Sequence, residues 1–177
     1  MDLSTKMATY PRHTHLVSAF LPNILEMFKQ QKIYFLKEEN ILAFQGKKYS
    51  GEERLINPST VENIDEFIEF GIDTLDFVQP DFLFFRRNKF IQSKNGLRTI
   101  GIPDLVVEVW SINNDYSEKE MKFNLYSSSN LCEHWYLTQN SNLVECYLGK
   151  QKLNEQSLER ELKTLDNIKF DLTYLAL

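Results

Sequence analysis

One carboxylate in this chain lies in a predicted buried strand, where an ionised side chain is unfavourable in free energy. Glu108 interrupts an apolar run, residues 105–109, whose β-branched side chains predict a buried strand. An ionised carboxylate inside a buried strand costs several kcal/mol unless it is paired with a cation or bound to a metal. Lys119 and Lys122 follow on the next predicted element, one helical turn apart. The combination predicts a site at which a carboxylate and lysines act together.

Asp81 is the second carboxylate of the predicted site. It follows Pro80 within an apolar stretch that we interpret as a strand over residues 78–85. If this strand runs antiparallel beside the strand over residues 104–110, its beginning lies next to the end of the other, which brings Asp81 near Glu108. Two carboxylates that converge with a backbone carbonyl form an oxygen site suited to Mg²⁺, which keeps several of its waters.

Asp104 shares a strand face with Glu108 because their separation is even. At about 3.3 Å per residue, however, the two side chains start roughly 13 Å apart, too far to share one metal ion. We therefore assign Asp104 a supporting role. Interpretations without catalysis stay open for all three carboxylates. Pro-Asp at a strand start is common turn chemistry, and Glu108 could form a salt bridge with an arginine or lysine across the sheet.

Lys122 and Tyr126 are four residues apart and therefore lie on one face of the helix predicted after the strand. Lys119 lies one turn earlier on nearly the same side. A lysine beside a metal site could orient or deprotonate a water and stabilise charge that develops on a phosphoryl group. The alternative for both lysines is a solvated helix face shared with Glu118 and Glu120.

The elements that must position these residues alternate between helices and strands. Apolar spacing predicts a helix that is kinked at Pro22, and Ser117 with Glu120 fits a capping box for the helix after the strand. The first two strands read as a pair around a short turn. Together the elements predict one α/β domain around a mixed sheet. Strands are predicted at residues 32–36, 40–44, 78–85, 90–92, 104–110, 134–137 and 142–148, and helices at 14–31, 60–70, 117–129 and 153–165.

Composition and length fit a single globular domain over residues 1–177, with a flexible arm at 1–12 and an insertion at 45–77. No apolar run approaches the ~20 residues of a membrane helix, so we expect a cytoplasmic protein. Cys132 and Cys146 are expected to be free thiols. The sequence lacks the G-x-S-x-G and G-x-x-x-x-G-K patterns of serine hydrolases and phosphate-binding loops.

The net charge of −5 opposes broad contact with nucleic acid, because phosphate binding needs clustered lysine and arginine. One cluster of basic residues is an exception to this excess of acidic residues. It either contacts phosphates or forms a solvated hairpin. Its members are Arg86, Arg87, Lys89, Lys94 and Arg98.

Four segments, QPDFLFF, IPDLVVEVWS, EKEMKFNLY and CEHWYL, resemble the Uma-type family of restriction endonucleases in the PD-(D/E)xK nuclease superfamily. The resemblance spans residues 13–150, and residues 102–136 carry most of its specificity. It implies a restriction-endonuclease-like fold, which is a mixed β-sheet flanked by helices. It also implies hydrolysis of phosphodiester bonds in DNA with Mg²⁺ or Mn²⁺, leaving a 3′-hydroxyl and a 5′-phosphate.

Carried over residue by residue, the resemblance assigns Asp81 and Glu108 to the metal and Lys122 to catalysis. Trp110 stands at the usual lysine position of the motif. The resemblance implies that the lysine has moved to the following helix, where Lys122 precedes Tyr126 by four residues.

Two further matches are supporting ones, because Glu118 stands where relatives usually have aspartate and His15 resembles a histidine of the first helix. Superfamily enzymes often act as dimers, since two active sites are needed to cut two strands, so we expect a homodimer. The alternative function is a catalytically weak or inactive nucleic-acid-binding or regulatory module on the same fold, which the acidic net charge favours.

Overall fold

The computed structural model describes residues 14–20, 22, 34–36, 41–61, 75–85, 89–93, 98–111 and 113–177. Two α-helices are described: residues 14–20 form α1, and Tyr116–Tyr126 form α2. The strands are β1 (Tyr34–Leu36), β2 (Ile41–Gln45), β3 (Arg54–Leu55), β4 (Leu75–Val78), β5 (Phe82–Phe85), β6 (Phe90–Gln92), β7 (Arg98–Gly101), β8 (Leu105–Trp110), β9 (Glu133–Thr138), β10 (Leu143–Leu148), β11 (Gln151–Ser157), β12 (Leu162–Lys163) and β13 (Lys169–Phe170).

β8 is a central strand, and all of its residues are buried. It belongs to a six-stranded sheet of order β1-β5-β8-β9-β10-β11. β8 and β9 run parallel, whereas the other neighbouring pairs of this sheet run antiparallel. The predicted mixed sheet is therefore confirmed, as is the predicted antiparallel pairing of β5 with β8.

The two faces of this sheet are covered by different helices, because successive side chains of a strand point to opposite faces. On one face, Leu16 and Phe20 of α1 pack in a cluster with Val107 of β8. On the other face, Met121 and Leu125 of α2 pack with Val106 and Trp110, among others. The prediction of a sheet flanked by helices is confirmed. No helix among the described residues is long and apolar enough to cross a membrane.

A second sheet lies next to the α2 side of the first. In it, β2 pairs antiparallel with β3 and β4 and parallel with β7, and β6 pairs antiparallel with β7. Leu42 and Phe44 of β2 and Val78 of β4 belong to the same apolar cluster as α2. The second sheet thus covers the side of the molecule on which α2 lies.

The prediction of a single strand over residues 78–85 is wrong. The chain forms two strands here, β4 in the second sheet and β5 in the first, and Gln79, Pro80 and Asp81 connect them. Proline has no backbone N–H to donate to a sheet ladder, so it favours the break. As a result Asp81 stands at the entrance of β5, where the chain passes from one sheet to the other.

Three other predictions are also wrong. The first two strands do not pair with each other: β1 pairs with β5, and β2 belongs to the second sheet. Residues 153–165 are not a helix, because pairing with β10 holds β11 in a strand. The N-cap of α2 is Asp115, whose carboxylate accepts a hydrogen bond from the Ser117 N–H. The predicted arm at residues 1–12 and most of the helix predicted at 60–70 lie outside the described residues.

The C-terminal hairpin of β12 and β13 completes the core on the α1 side. The ring of Phe170 is fully buried and lies 5.2 Å from the ring of Phe20 and 5.7 Å from that of Trp135, centroid to centroid. This hairpin therefore contributes to the stability of the large sheet.

We expect Phe170→Ala to lower the free energy of unfolding by about 3–5 kcal/mol, because it leaves a cavity among buried aromatic rings. Tyr174→Ala is the matched control, since Tyr174 is 66% exposed and exposed substitutions usually change stability by less than about 0.5 kcal/mol. Equilibrium unfolding in urea measures both. Similar small losses for the two variants would show that the hairpin is not part of the core.

Candidate active site

Glu108 is completely buried, and both of its carboxylate oxygens accept hydrogen bonds from α2. The Lys122 ammonium donates to Oε2 over 2.9 Å, and the Tyr126 hydroxyl donates to Oε1 over 2.6 Å. The four-residue spacing of the two donors places them on one face of α2, which packs on the Glu108 face of β8. A salt bridge of Glu108, the alternative left open from the sequence, thus exists in the metal-free protein, but its partner comes from the helix and not from across the sheet.

Lys122 makes further contacts at longer range. Its ammonium nitrogen lies 3.5 Å from the carbonyl oxygen of Gln79 and 3.5 Å from Oε1 of Glu118. The nitrogen therefore lies between the β4–β5 connection, β8 and the first turn of α2. Glu118, a predicted supporting residue, lies beside the lysine as expected from their i,i+4 spacing.

Asp81 lies beside Glu108 at the same end of the sheet. The antiparallel register pairs Phe82 with Val107, so the residue before Phe82 reaches the end of β8. Asp81 Oδ2 accepts a hydrogen bond of 2.7 Å from the backbone N–H of Val109. This contact orients the carboxylate next to Glu108.

These side chains open onto one cavity of about 420 Å³. Three of the lining residues carry carboxylates and one carries an ammonium group. The sequence did not single out two of the lining residues, Thr14 on α1 and Asn114 in the loop before α2, because neither belongs to a recognisable pattern. The lining residues are Thr14, Gln79, Pro80, Asp81, Glu108, Val109, Trp110, Asn114, Glu118 and Lys122.

Burial dominates the electrostatics of this site. It raises the pKa of Glu108 to about 7; Lys122 and Tyr126 oppose the shift, and the Asp81 carboxylate adds to it. Burial lowers the pKa of Lys122, but the charges of Glu108, Asp81 and Glu118 outweigh it, so the pKa of the lysine is raised and the ammonium stays charged. Burial and Glu108 also raise the pKa of Tyr126 well above its ordinary value, so its hydroxyl remains a donor.

Other predicted residues are placed away from Glu108. Asp104 pairs with Lys89 across 2.6 Å and does not line the cavity. The Lys119 ammonium lies 5.6 Å from the centre of the Trp110 ring. His15 is exposed on α1, while its neighbour Thr14 lines the cavity.

The predicted basic cluster is described only in part. Lys89 is paired with Asp104, and the guanidinium of Arg98 lies 4.9 Å from the centre of the Phe77 ring. Arg86, Arg87 and Lys94 lie outside the described residues. Neither described member lines the cavity around Glu108.

The described residues contain no group of three or more histidine, cysteine, aspartate or glutamate side chains arranged to hold a metal ion. The site offers two neighbouring carboxylates, Asp81 and Glu108. This donor set fits Mg²⁺, which binds through one or two carboxylates, keeps waters and takes substrate phosphates as further ligands. Each carboxylate oxygen that accepts one hydrogen bond retains a second lone pair.

Comparisons with known proteins agree with this architecture. The family model described as "Uma2: Putative restriction endonuclease" matches residues 63–172. A solved structure from Anabaena variabilis, described as a putative nuclease belonging to DUF820, aligns with a TM-score of 0.59 at 14% identity, covering 94% of this chain and 82% of that chain. At this identity the likeness concerns the fold, and it confirms the predicted restriction-endonuclease-like class. No curated protein matches the chain.

The raised pKa of Glu108 predicts how stability changes with pH in the metal-free protein. Below pH 4.5 the carboxyl is protonated in the folded and unfolded states alike, so burial carries no ionisation penalty. As pH rises from 4.5 to about 7, the unfolded state loses its proton first, and the free energy of unfolding falls. We expect this fall to reach about 3 kcal/mol and to disappear in Glu108→Gln.

Urea unfolding of both proteins at pH 5 and pH 8, with a chelator present, measures the effect. His134 makes the free energy of unfolding rise with pH, because burial lowers its pKa to about 4. This contribution is the same in both proteins and cancels in their difference. An identical pH dependence in the two proteins would contradict a raised pKa at Glu108.

Proposed function

Because this chain belongs to the Uma2 family of putative restriction endonucleases, we propose that it is a Mg²⁺-dependent endonuclease that hydrolyses phosphodiester bonds in DNA. Mn²⁺ is the expected substitute for Mg²⁺. The catalytic residues in this proposal are Asp81, Glu108 and Lys122.

One observation carries the proposal. Two carboxylates and a charged lysine, contributed by the β4–β5 connection, β8 and α2, line a single cavity. Purely structural ion pairs do not need a cavity, and the desolvation of Glu108 makes its charge expensive to keep. A cost of this kind is typical of a site under functional constraint.

Asp81 and Glu108 would hold the metal ion. Mg²⁺ bound there supplies a Lewis acid for an oxygen of the scissile phosphodiester. The hydrogen bond from the Val109 N–H fixes the Asp81 carboxylate before any ligand enters. Tyr126 fixes the Glu108 carboxylate from the other side by its hydrogen bond to Oε1. Both carboxylates are therefore held in place before the metal binds, which reduces the cost of ordering them on binding.

Lys122 has two roles in the proposal. In the metal-free protein its ammonium neutralises Glu108. In the reaction it holds the attacking water through one of its N–H groups and stabilises the charge that develops on the phosphoryl oxygens. In an in-line displacement the water oxygen bonds to phosphorus and the P–O3′ bond breaks, which leaves a 5′-phosphate and a 3′-hydroxyl, the departing oxygen taking up a proton as the water loses one.

The proposed assembly follows from the DNA substrate, and the proposed compartment follows from the two cysteines. Cutting both strands of DNA requires two active sites, so a homodimer is the proposed working unit. The buried free thiols of Cys132 and Cys146 fit a reducing compartment such as the cytoplasm.

A second candidate function is a nucleic-acid-binding or regulatory module without turnover. The observation that favours it is the direct Glu108–Lys122 ion pair, since a carboxylate already neutralised by a lysine has less need of a metal ion. Salt-dependent DNA binding without metal-dependent cleavage would support this candidate. The absence of DNA binding at low salt, where counterion release is most favourable, would count against both candidates.

We expect the wild type to cleave DNA with Mg²⁺ and not with a chelator. Asp81→Asn, Glu108→Gln and Lys122→Met should each lower the rate about 10²- to 10⁴-fold. Nicking and linearisation of supercoiled plasmid, followed on gels, measures the rates. Asp104→Asn is the matched control, because Asp104 is also a half-buried aspartate at a strand entrance, and its partner, Lys89, lies outside the cavity. Equal rates for wild type and the three site variants would exclude the assignment.

Substitution of Lys122 should impair catalysis without weakening the binding of the metal ion. Lys122→Met leaves Glu108 buried without a cation, so the metal-free variant should lose about 3–5 kcal/mol of stability. The same variant should bind Mn²⁺ at least as tightly as wild type, whereas Asp81→Asn and Glu108→Gln should bind it more weakly. Calorimetric titration with Mn²⁺, together with thermal unfolding with and without the ion, tests this. Loss of Mn²⁺ binding in a folded Lys122→Met protein would instead make Lys122 necessary for the metal site.

A further inference from the structure

Trp110 forms a wall of the cavity beside Lys122. It lies two residues after Glu108 on β8, so both side chains point to the face of the sheet that α2 covers. The ring is 7% exposed and lines the same cavity as Glu108 and Lys122. The ammonium nitrogens of Lys122 and Lys119 lie 5.4 Å and 5.6 Å from the centre of this ring.

Hydrogen bonding alone holds the Lys122 ammonium loosely. Its contact with Glu108, at 2.9 Å, has the length of a strong charge-assisted hydrogen bond. The contacts with Gln79 and Glu118, both at 3.5 Å, are at the outer limit for hydrogen bonds. A lysine also has a long flexible stem that would let the ammonium turn about its one short bond. The aromatic face supplies a further attraction, since cations within about 6 Å of a ring centre are drawn to its π electrons.

The ring itself is held rigidly. It stacks on Tyr136 with centroids 5.7 Å apart and an interplanar angle of 9°. His134 Nε2 lies 2.8 Å from the carbonyl oxygen of Gly149, which can only accept, so this nitrogen carries the proton. Nδ1 therefore accepts from the Tyr136 hydroxyl, over 2.8 Å. Burial lowers the pKa of His134 to about 4, in keeping with this neutral form.

We propose that Trp110 is the positioning residue for Lys122: its ring face, braced by Tyr136 and His134, keeps the ammonium group on Glu108 and directed into the cavity. The proposal rests on the proposed function for its catalytic consequence, but the position of the ammonium can be tested without turnover. Trp110 acts through Lys122 and is not itself a catalytic residue.

Trp110→Leu keeps an apolar side chain but removes the ring, and Trp110→Phe keeps a smaller ring. NMR of lysine-labelled protein, with Lys122→Met to assign the signal, reports the position of the ammonium. We expect the ring current to move the Lys122 ε-methylene protons upfield in wild type, less in Trp110→Phe and not in Trp110→Leu. We also expect the ammonium protons, slow to exchange in wild type, to exchange faster in Trp110→Leu. Trp135→Phe changes the other tryptophan, which lies on the opposite face of the sheet, and should leave both signals unchanged.

Cleavage by the same variants measures the catalytic consequence. A cation–π attraction of the usual strength corresponds to a fall in kcat of roughly 2- to 30-fold for Trp110→Leu, with KM unchanged and partial recovery in Trp110→Phe. Fluorinated tryptophans weaken the attraction without changing the shape of the ring. They should lower kcat stepwise in wild type and leave it constant in Trp110→Phe, where only Trp135 carries the fluorine.

Unchanged exchange of the Lys122 ammonium protons in a folded Trp110→Leu protein would overturn the proposal, because the ring-current shift is lost with the ring wherever the ammonium lies. So would a change confined to KM, which would make Trp110 a substrate contact. If the wild type does not cleave DNA, the proposed nuclease function fails, while the NMR comparison still decides whether Trp110 positions Lys122.

Discussion

The rest of the structure depends on the buried ion pair between Glu108 and Lys122. A carboxylate at the centre of a fully buried strand is tolerated only if a cation reaches it, and breaking such a pair costs about 3–5 kcal/mol. The lysine comes from α2, so the helix must dock in the one orientation that brings its ammonium to β8. Met121 and Leu125 provide the apolar contact for this docking, and the Asp115 cap determines where the helix starts. The buried ion pair and the apolar contacts of α2 therefore favour the same position of the helix on β8.

The two faces of the large sheet serve different purposes. The face toward α1 is packed with apolar side chains, including the aromatic contacts of Phe20, Trp135 and Phe170. The face toward α2 contains Glu108, Lys122 and Tyr126 among its apolar residues, and hydrogen bonds join these three buried polar groups. The stability provided by the first face allows the second to keep a strained electrostatic balance, in which the pKa of Glu108 is raised to about 7.

Much of the site was predictable from sequence because it depends on local spacing. The alternation along β8 placed Glu108 on one face, and the i,i+4 spacing of α2 placed Lys122 and Tyr126 together. Asp81 needed one long-range assumption, the antiparallel pairing of β5 and β8, which the structure confirms. The incorrect predictions also concern contacts between residues far apart in the sequence. Nothing local shows that Pro80 separates two sheets, or that β11 is held as a strand by β10. The strand spacing already separated Asp104 from Glu108, but nothing in the sequence shows that Asp104 pairs with Lys89.

The charge of the cavity bears on how an acidic protein could act on a polyanion. Among the described residues that line the cavity, Asp81, Glu108 and Glu118 face one lysine, so this part of the metal-free cavity repels a phosphodiester. A divalent cation held by the first two carboxylates would cancel this negative charge and offer the phosphodiester a positive ion, because bound cations are often the largest local charges in a site. On the proposed function, the net charge of −5 and nuclease activity are therefore compatible. The same acidity would disfavour DNA binding by the metal-free protein, so the ion would act in substrate binding as well as in hydrolysis.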